Sequence, residues 1–326
     1  MATNRKRILL PHTISPAAWK MAESREDIEP VSFRNDIKAE SLPSLLDEVS
    51  GIALGATPFG PTALGAAPKI EVVARIGVGY DAVDVPALTA RKVPLMIAGI
   101  ANSVSVAENA MYFMLTLAKR GAAMDAVVRE DRWWDKYQQL PVDLFEKTVL
   151  VVGFGRIGTR IARRCLAMEM QVLVYDPYID ANAVRAAGCE PVRDLDTAIP
   201  RADFITIHCP KTPETTGLFN EARLGRMKRG AYIVNTARGG IIDEGALCRA
   251  LSARQIAGAG LDVFEREPPP SDHPLLKLPN VVTGPHVAGV TLEAVDRMGI
   301  AAVRNILSVL DGKPIRENVV NKEVLD

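Results

Sequence analysis

The stretch Thr148-Val149-Leu150-Val151-Val152-Gly153-Phe154-Gly155-Arg156-Ile157-Gly158 decides the fold. Its first five residues read as a strand buried on both faces, and a helix-forming run over residues 157–167 follows at once. Between them the three glycines have the spacing of a phosphate cradle. Gly153 permits the tight turn, Gly155 lets backbone approach a pyrophosphate, and Gly158 lets the helix pack closely on the strand. The free amides at the helix start then face negative charge. Glycine-rich turns also occur at strand ends for steric reasons alone, so the neighbouring residues must decide. The next strand, residues 171–175, ends at Asp176, eighteen positions beyond Gly158. An acid there can accept both ribose hydroxyls of an adenosine and repels the extra 2′-phosphate of NADP. No Arg lies between Tyr175 and Ala183 to neutralise such a phosphate, so NAD is the expected cofactor. The alternative is a turn residue before Pro177.

Working outward, strands are expected at 148–152, 171–175, 204–207, 231–234 and 258–261 and near Val281, spaced by helices such as 157–167 and 244–253. Six strands alternating with helices match a doubly wound parallel sheet. The amino-terminal part alternates too, with strands at 8–10, 51–54, 72–76 and 95–97 and helical stretches at 17–23 and 42–49. Residues 102–120 read as a long helix with Ser103 or Ser105 as N-cap, apolar enough to be buried between layers or at a subunit contact. A polar stretch, 129–145, carries Trp133-Trp134, which we expect at a dimer contact. The last helix spans 292–310.

The composition narrows the class. A chain of 326 residues with 48% hydrophobic content has room for about two domains, each with its own core. Lys+Arg and Asp+Glu balance at 39 each, so no broad positive field exists to hold nucleic acid or an anionic membrane. No apolar stretch approaches the roughly 18 residues of a transmembrane helix. Arg5-Lys6-Arg7 and Ile8-Leu9-Leu10 meet Pro11-His12 before a signal-peptide core can form, and read instead as a first strand. Cys165, Cys189, Cys209 and Cys248 lie far apart and form no C-x-x-C pair, so neither a disulfide framework nor a metal site is expected. A soluble cytoplasmic protein is the expectation.

Three later segments carry charged groups just after expected strands, where ligands of open α/β sheets bind. They are Val234-Asn235-Thr236-Ala237-Arg238-Gly239-Gly240, Asp262-Val263-Phe264-Glu265-Arg266-Glu267-Pro268 and Gly284-Pro285-His286-Val287-Ala288-Gly289. With the glycine motif, with Arg75-Ile76-Gly77-Val78-Gly79-Tyr80-Asp81 and with His208-Cys209-Pro210, they make the chain resemble the D-isomer-specific 2-hydroxyacid dehydrogenases over nearly its whole length. The resemblance implies a Rossmann cofactor domain, residues 102–291, inserted in a discontinuous flavodoxin-like substrate domain, residues 1–101 and 292–326. The helices beginning near Asn102 and Leu292 would be the crossings.

The chemistry shows why these residue types are useful together. Reducing a 2-keto acid needs a hydride at C2, a proton for the carbonyl oxygen and a cation for the carboxylate. Arg238 offers paired planar donors for that carboxylate. His286 is the acid/base candidate, since imidazole titrates near neutrality, and Glu267, bonded to the ring, would favour imidazolium. By resemblance, the amides of Val78 and Gly79 also grip the substrate carboxylate and Asn102 lies by its carbonyl. The carried-over cofactor contacts are Gly153, Gly155, Arg156, Ile157, Gly158, Asp176, His208, Cys209, Thr215, Thr236, Ala237, Arg238, Asp262, His286, Ala288 and Gly289, with Asp262 at the nicotinamide carboxamide. His208 would shape the adenine wall, whereas His273 reads as a turn residue.

The implied activity is an NAD-dependent interconversion of a small 2-keto acid and its D-2-hydroxy acid by a homodimer. Glyoxylate, hydroxypyruvate and 3-phosphoglycerate are the substrates to test. Since the sequence stops at Asp326, the C-terminal regulatory domains of many phosphoglycerate dehydrogenases are not expected. Formate dehydrogenases resemble this chain with Gln in place of Glu267. An NADH-sensing, corepressor-like binding protein stays open as the alternative, because that branch can keep the triad too.

Overall fold

The computed structural model describes residues 5–326, and its internal contacts divide them into two units: residues up to 102 with 290–326, and residues 103–289. The first carries β1 (Lys6–Pro11), β2 (Ile28–Phe33), β3 (Val49–Leu54), β4 (Val72–Arg75) and β5 (Leu95–Met96), all parallel in the order β2-β1-β3-β4-β5. Side chains alternate between two apolar layers. Ile8, Leu10, Ala53, Val72 and Ala74 pack with Ala302 and Ile306, whereas Leu9, Ile52, Leu54 and Val73 pack with Phe59, Leu64 and Leu88. Burial on both faces is why these strands read as unbroken apolar runs.

The chain's end returns to this unit. Helix Leu292–Leu310 starts at an N-cap, Thr291, whose Oγ1 accepts the Ala294 amide at 3.1 Å. It presses on β3 where only glycine fits, since a Cβ on Gly51 would lie 2.7 Å from Ile306 Cγ2. Buried Asn305 donates to Ile97 O at 2.9 Å and accepts from Asn318 Nδ2 at 2.9 Å. Asn321, 2% exposed, accepts the Leu95 amide at 2.8 Å and donates to Val93 O at 3.0 Å.

The second unit holds β6 (Thr148–Val152), β7 (Gln171–Tyr175), β8 (Glu190–Val192), β9 (Phe204–Ile207), β10 (Tyr232–Asn235), β11 (Gly258–Leu261) and β12 (Val281–Thr283). They are parallel in the order β12-β11-β10-β9-β6-β7-β8, so the winding reverses between β6 and β9. Leu150 and Val152 face one core, Val149 and Val151 the other. Helix Ser103–Lys119 covers the second core. It lies so close that Gly260 could not carry a Cβ without meeting Phe113 Cβ at 2.9 Å. The expected pair of doubly wound α/β sheets is thus found.

Several details differ. Strands β2 and β8 were not expected, because Pro30 and Pro191 interrupt their sequences; both are edge strands, where a missing amide is tolerated. The expected helix at 42–49 is a single 3-10 turn, Leu42–Leu45, containing Pro43, because Val49 already pairs with Arg7 in the sheet. Ser103 and Ser105 lie inside the first turn of their helix, 1% and 3% exposed, rather than preceding it as caps. At the polar stretch 129–145, helix Gly121–Arg129 ends and a 3-10 turn, Trp133–Tyr137, follows. Trp133 and Trp134 are 53% and 74% exposed. Among the described residues no helix is long and apolar enough to cross a membrane.

Asn321→Leu strips the partner from the buried Leu95 amide and from Val93 O. It should cost the first unit about 2 kcal/mol, read as a lower denaturant midpoint with unchanged slope. A loss below about 0.5 kcal/mol would mean that these groups find other partners.

Candidate active site

The functional side chains of the second unit sit where β6, β7, β9, β10, β11 and β12 end, all on one edge of the sheet. At the winding reversal the turns after β6 and β9 touch. A Cβ on Gly153, whose φ is +94°, would meet Cys209 N at 2.6 Å. One on Gly158 would meet Gly153 O at 1.9 Å, whereas Gly155 has nothing within 4 Å of that position. Gly153 and Gly158 thus stand where neighbouring backbone leaves no room for a Cβ, whereas Gly155 borders open space. Asp176 stands beside them, accepting the amides of Phe154 at 2.7 Å and Tyr178 at 2.9 Å.

Beyond β9, His208 Nε2 pairs with Thr206 Oγ1 at 2.8 Å, and its Nδ1 is buried without a partner. Burial pushes this imidazole down to about 3, so it is neutral at pH 7. Burial also pushes the Cys209 thiol up to about 11, which leaves it a poor nucleophile. Thr215 Oγ1 donates to Pro210 O at 2.6 Å and accepts the Thr212 amide at 2.8 Å, closing its own loop.

The charged set follows on β10 to β12. Asn235, 2% exposed, shapes the first loop: its Oδ1 accepts the Ala237 amide at 3.0 Å and its Nδ2 donates to Arg238 O at 2.8 Å. Arg238 is half-buried and donates to Ala237 O at 2.7 Å, while Thr236 Oγ1 is buried without a partner. Gly239 permits backbone contact between this loop and the next, since a Cβ there would lie 1.9 Å from Phe264 O. Glu267 accepts the Phe264 amide at 3.0 Å on Oε1, and on Oε2 it accepts His286 Nδ1 at 2.7 Å. Both partners keep surface, His286 at 47% and Glu267 at 37%. His286 takes a left-handed conformation, φ +55°, and its amide donates to Asp262 O at 2.8 Å.

Asp262 has no exposed surface, and its two carboxylate oxygens accept the amides of Val287 at 2.9 Å and Ala288 at 2.7 Å. These two bonds hold the His286 loop. Burial pushes the Asp262 carboxyl up from the ordinary value, against the two amide bonds. Asn235 and the amide partners of Asp262 are what spacing alone does not reveal, because loop geometry sets these contacts. Gly289 closes the same loop, half-buried.

In the first unit Val78 and Gly79 are half-buried in the turn after β4, where Arg75 Nε donates to Gly79 O at 2.9 Å. Asn102 Oδ1 is buried without a partner. His12 Nδ1 accepts the Asn35 amide at 3.2 Å.

Residues 111–288 match the model of the D-isomer specific 2-hydroxyacid dehydrogenase, NAD binding domain. The chain belongs to the D-isomer specific 2-hydroxyacid dehydrogenase family. It is similar to a D-3-phosphoglycerate dehydrogenase of Archaeoglobus fulgidus, 42% identical over 256 residues, 78% of this chain and 48% of that one. It is also similar to a glyoxylate reductase of Thermofilum pendens, 37% identical over 88% of this chain and 86% of that one. The chain therefore spans about half the length of the first relative and most of the second. Among solved structures, a D-lactate dehydrogenase from Aquifex aeolicus complexed with NAD and lactic acid superposes with a TM-score of 0.86 at 27% identity, covering 96% of this chain and 99% of that one.

The residues of this family member fit the dinucleotide for which that domain is named. The open position at Gly155, the buried unpartnered Nδ1 of His208 and Oγ1 of Thr236, and the amide-fixed carboxylate of Asp176 lie on one sheet edge.

The depressed His208 gives a pH signature. An unfolded histidine titrates near 6.5, so this group's stabilising preference for the neutral form is complete above that pH. It is lost as pH falls from about 6.5 toward about 3, at up to about 1.4 kcal/mol per pH unit. In His208→Asn the fall of the denaturation midpoint between about pH 6 and pH 4 should be shallower than in the parent. Equal slopes would show that the ring is protonated in the fold.

Proposed function

We propose that the protein interconverts a small 2-keto acid and its D-2-hydroxy acid with NAD as cofactor. The observation that carries this reading is the 2.7 Å pair of His286 Nδ1 and Glu267 Oε2 on the sheet edge that bears the cradle. When bound, NADH supplies the hydride that C2 of the keto acid receives. His286 Nε2 gives the proton to the carbonyl oxygen during reduction and takes it from the hydroxyl during oxidation. Glu267 fixes which ring nitrogen faces the substrate and stabilises the imidazolium. The Arg238 guanidinium holds the carboxylate, as a planar fork suits a carboxylate.

For the cofactor, the amides of Arg156 and Ile157 at the start of helix Gly158–Ala167 take the pyrophosphate between Gly153, Gly155 and Gly158. Asp176 takes the ribose hydroxyls and so selects NAD over NADP. His208, Cys209 and Thr215 line the adenine side. Thr236, Ala237, Arg238, Ala288 and Gly289 line the nicotinamide side, with Asp262 behind them. A homodimer is supported by the exposed aromatic side chains of Tyr112, Trp133, Trp134 and Tyr137. A reducing, cytoplasmic setting is supported by four free cysteines.

A panel of glyoxylate, hydroxypyruvate, pyruvate and 3-phosphoglycerate, assayed with the NAD and the NADP cofactor in the matching redox state, tests the reading. Turnover with the NAD form is expected. No turnover on any member, with NADH driving self-association instead, would favour a sensor. His286→Ala should lower kcat by about 10²- to 10⁴-fold while leaving NADH affinity within a few-fold. Asp176→Ser should narrow the preference for NADH over NADPH; an unchanged ratio would place cofactor selection elsewhere.

A further inference from the structure

A second histidine–carboxylate pair lies behind the loop that carries Glu267. Glu244 opens helix Glu244–Ser252, and His273 stands in the turn before the 3-10 turn Pro274–Lys277. His273 Nε2 donates to Glu244 Oε2 at 3.1 Å, with each side chain only 15% exposed. The other oxygen, Glu244 Oε1, accepts the Glu265 amide at 2.6 Å, and Glu265 Oε1 faces the Glu244 amide at 3.5 Å. The His273 amide donates to Pro270 O at 3.0 Å, and its ring stands edge-on to Phe264 with centroids 5.8 Å apart.

Neither residue is hydrogen-bonded to His286 or Glu267, yet both fix what carries that pair. Two consecutive amides of residues 264–267 are held by carboxylates: that of Phe264 by Glu267, that of Glu265 by Glu244. On its other side Phe264 backs onto Gly239, beside Arg238. A purely structural role would be that of a helix-start cap, but Asp243 already fills it, its Oδ1 accepting the Ala246 amide at 2.8 Å. We propose that Glu244 and His273 are positioning residues for the reaction: braced by the imidazole, the Glu244 carboxylate anchors residues 264–267 so that Glu267 meets His286 Nδ1. This rests on the reading above of His286–Glu267 as the acid/base pair. Geometry at such a pair has to hold within about 0.5 Å, and a misplacement of about 1 Å can cost a hundredfold in rate.

The test compares Glu244→Ala, Glu244→Gln and His273→Asn in the full chain. Glu244→Ala should lower kcat/KM about 10- to 100-fold, mostly through kcat, and move a limb of its pH profile by about half a unit or more. Glu244→Gln, whose amide oxygen still accepts from Glu265, should recover most of the rate. Independently of turnover, the imidazole 15N resonances of the four histidines, each assigned by its own substitution, report on the pair. In Glu244→Ala those of both His273 and His286 should move. If Glu244→Ala does not fold, His273→Asn supplies the kinetics, the pH profile and the His286 resonance. A folded variant with parental kinetics and an unmoved His286 resonance overturns the proposal. Absence of turnover in the parent protein would overturn the proposed function, whereas the resonances would still judge the positioning.

Discussion

The site depends on the bond between one carboxylate with no surface and the backbone of another loop. Asp262 accepts the Val287 and Ala288 amides through its side chain and the His286 amide through its carbonyl. A left-handed conformation at a residue other than glycine is costly, and it persists where the surroundings over-determine it. Three bonds to one residue do that for His286. The arrangement also requires Gly284, where a Cβ would lie 2.4 Å from Asp262 Oδ1. Burial works against the ionised carboxylate, and the two amides are what offset that penalty.

From this anchor the remaining parts fall into place along the sheet. Parallel strands deliver every turn of interest to one edge, and the reversal between β6 and β9 opens space there for a ligand. The cradle and Asp176 occupy β6 and β7, and the charged set occupies β10 to β12. Three histidines of this unit show how environment assigns roles. His208 is shut in and stays neutral, His273 braces a carboxylate within the fold, and His286 keeps nearly half its surface beside Glu267.

Much of this was legible in the sequence because the residues concerned are read locally. The glycine spacing, the acid at the tip of β7 and the charged residues after β10, β11 and β12 each follow an apolar run that sets their place. Elements decided by long-range pairing were not legible. Pro30 and Pro191 hide edge strands whose existence rests on one neighbour, and residues 42–49 lose their helical pattern to strand pairing at Val49. Asn235, Glu244 and His273, and the amide partners of Asp262, escape for the same reason: these contacts are with loop amides or side chains brought near by folding. His273 in particular has the composition of a turn, and only the 29-residue contact to Glu244 shows otherwise.

The central claim is hydride transfer to C2 with D stereochemistry, assisted by His286. It is tested most directly by reducing a three-carbon 2-keto acid with NADH deuterated at the transferring position and determining the label and configuration of the product. The account predicts deuterium at C2 of the D-2-hydroxy acid. An L product, a product without deuterium, or deuterium elsewhere would contradict it.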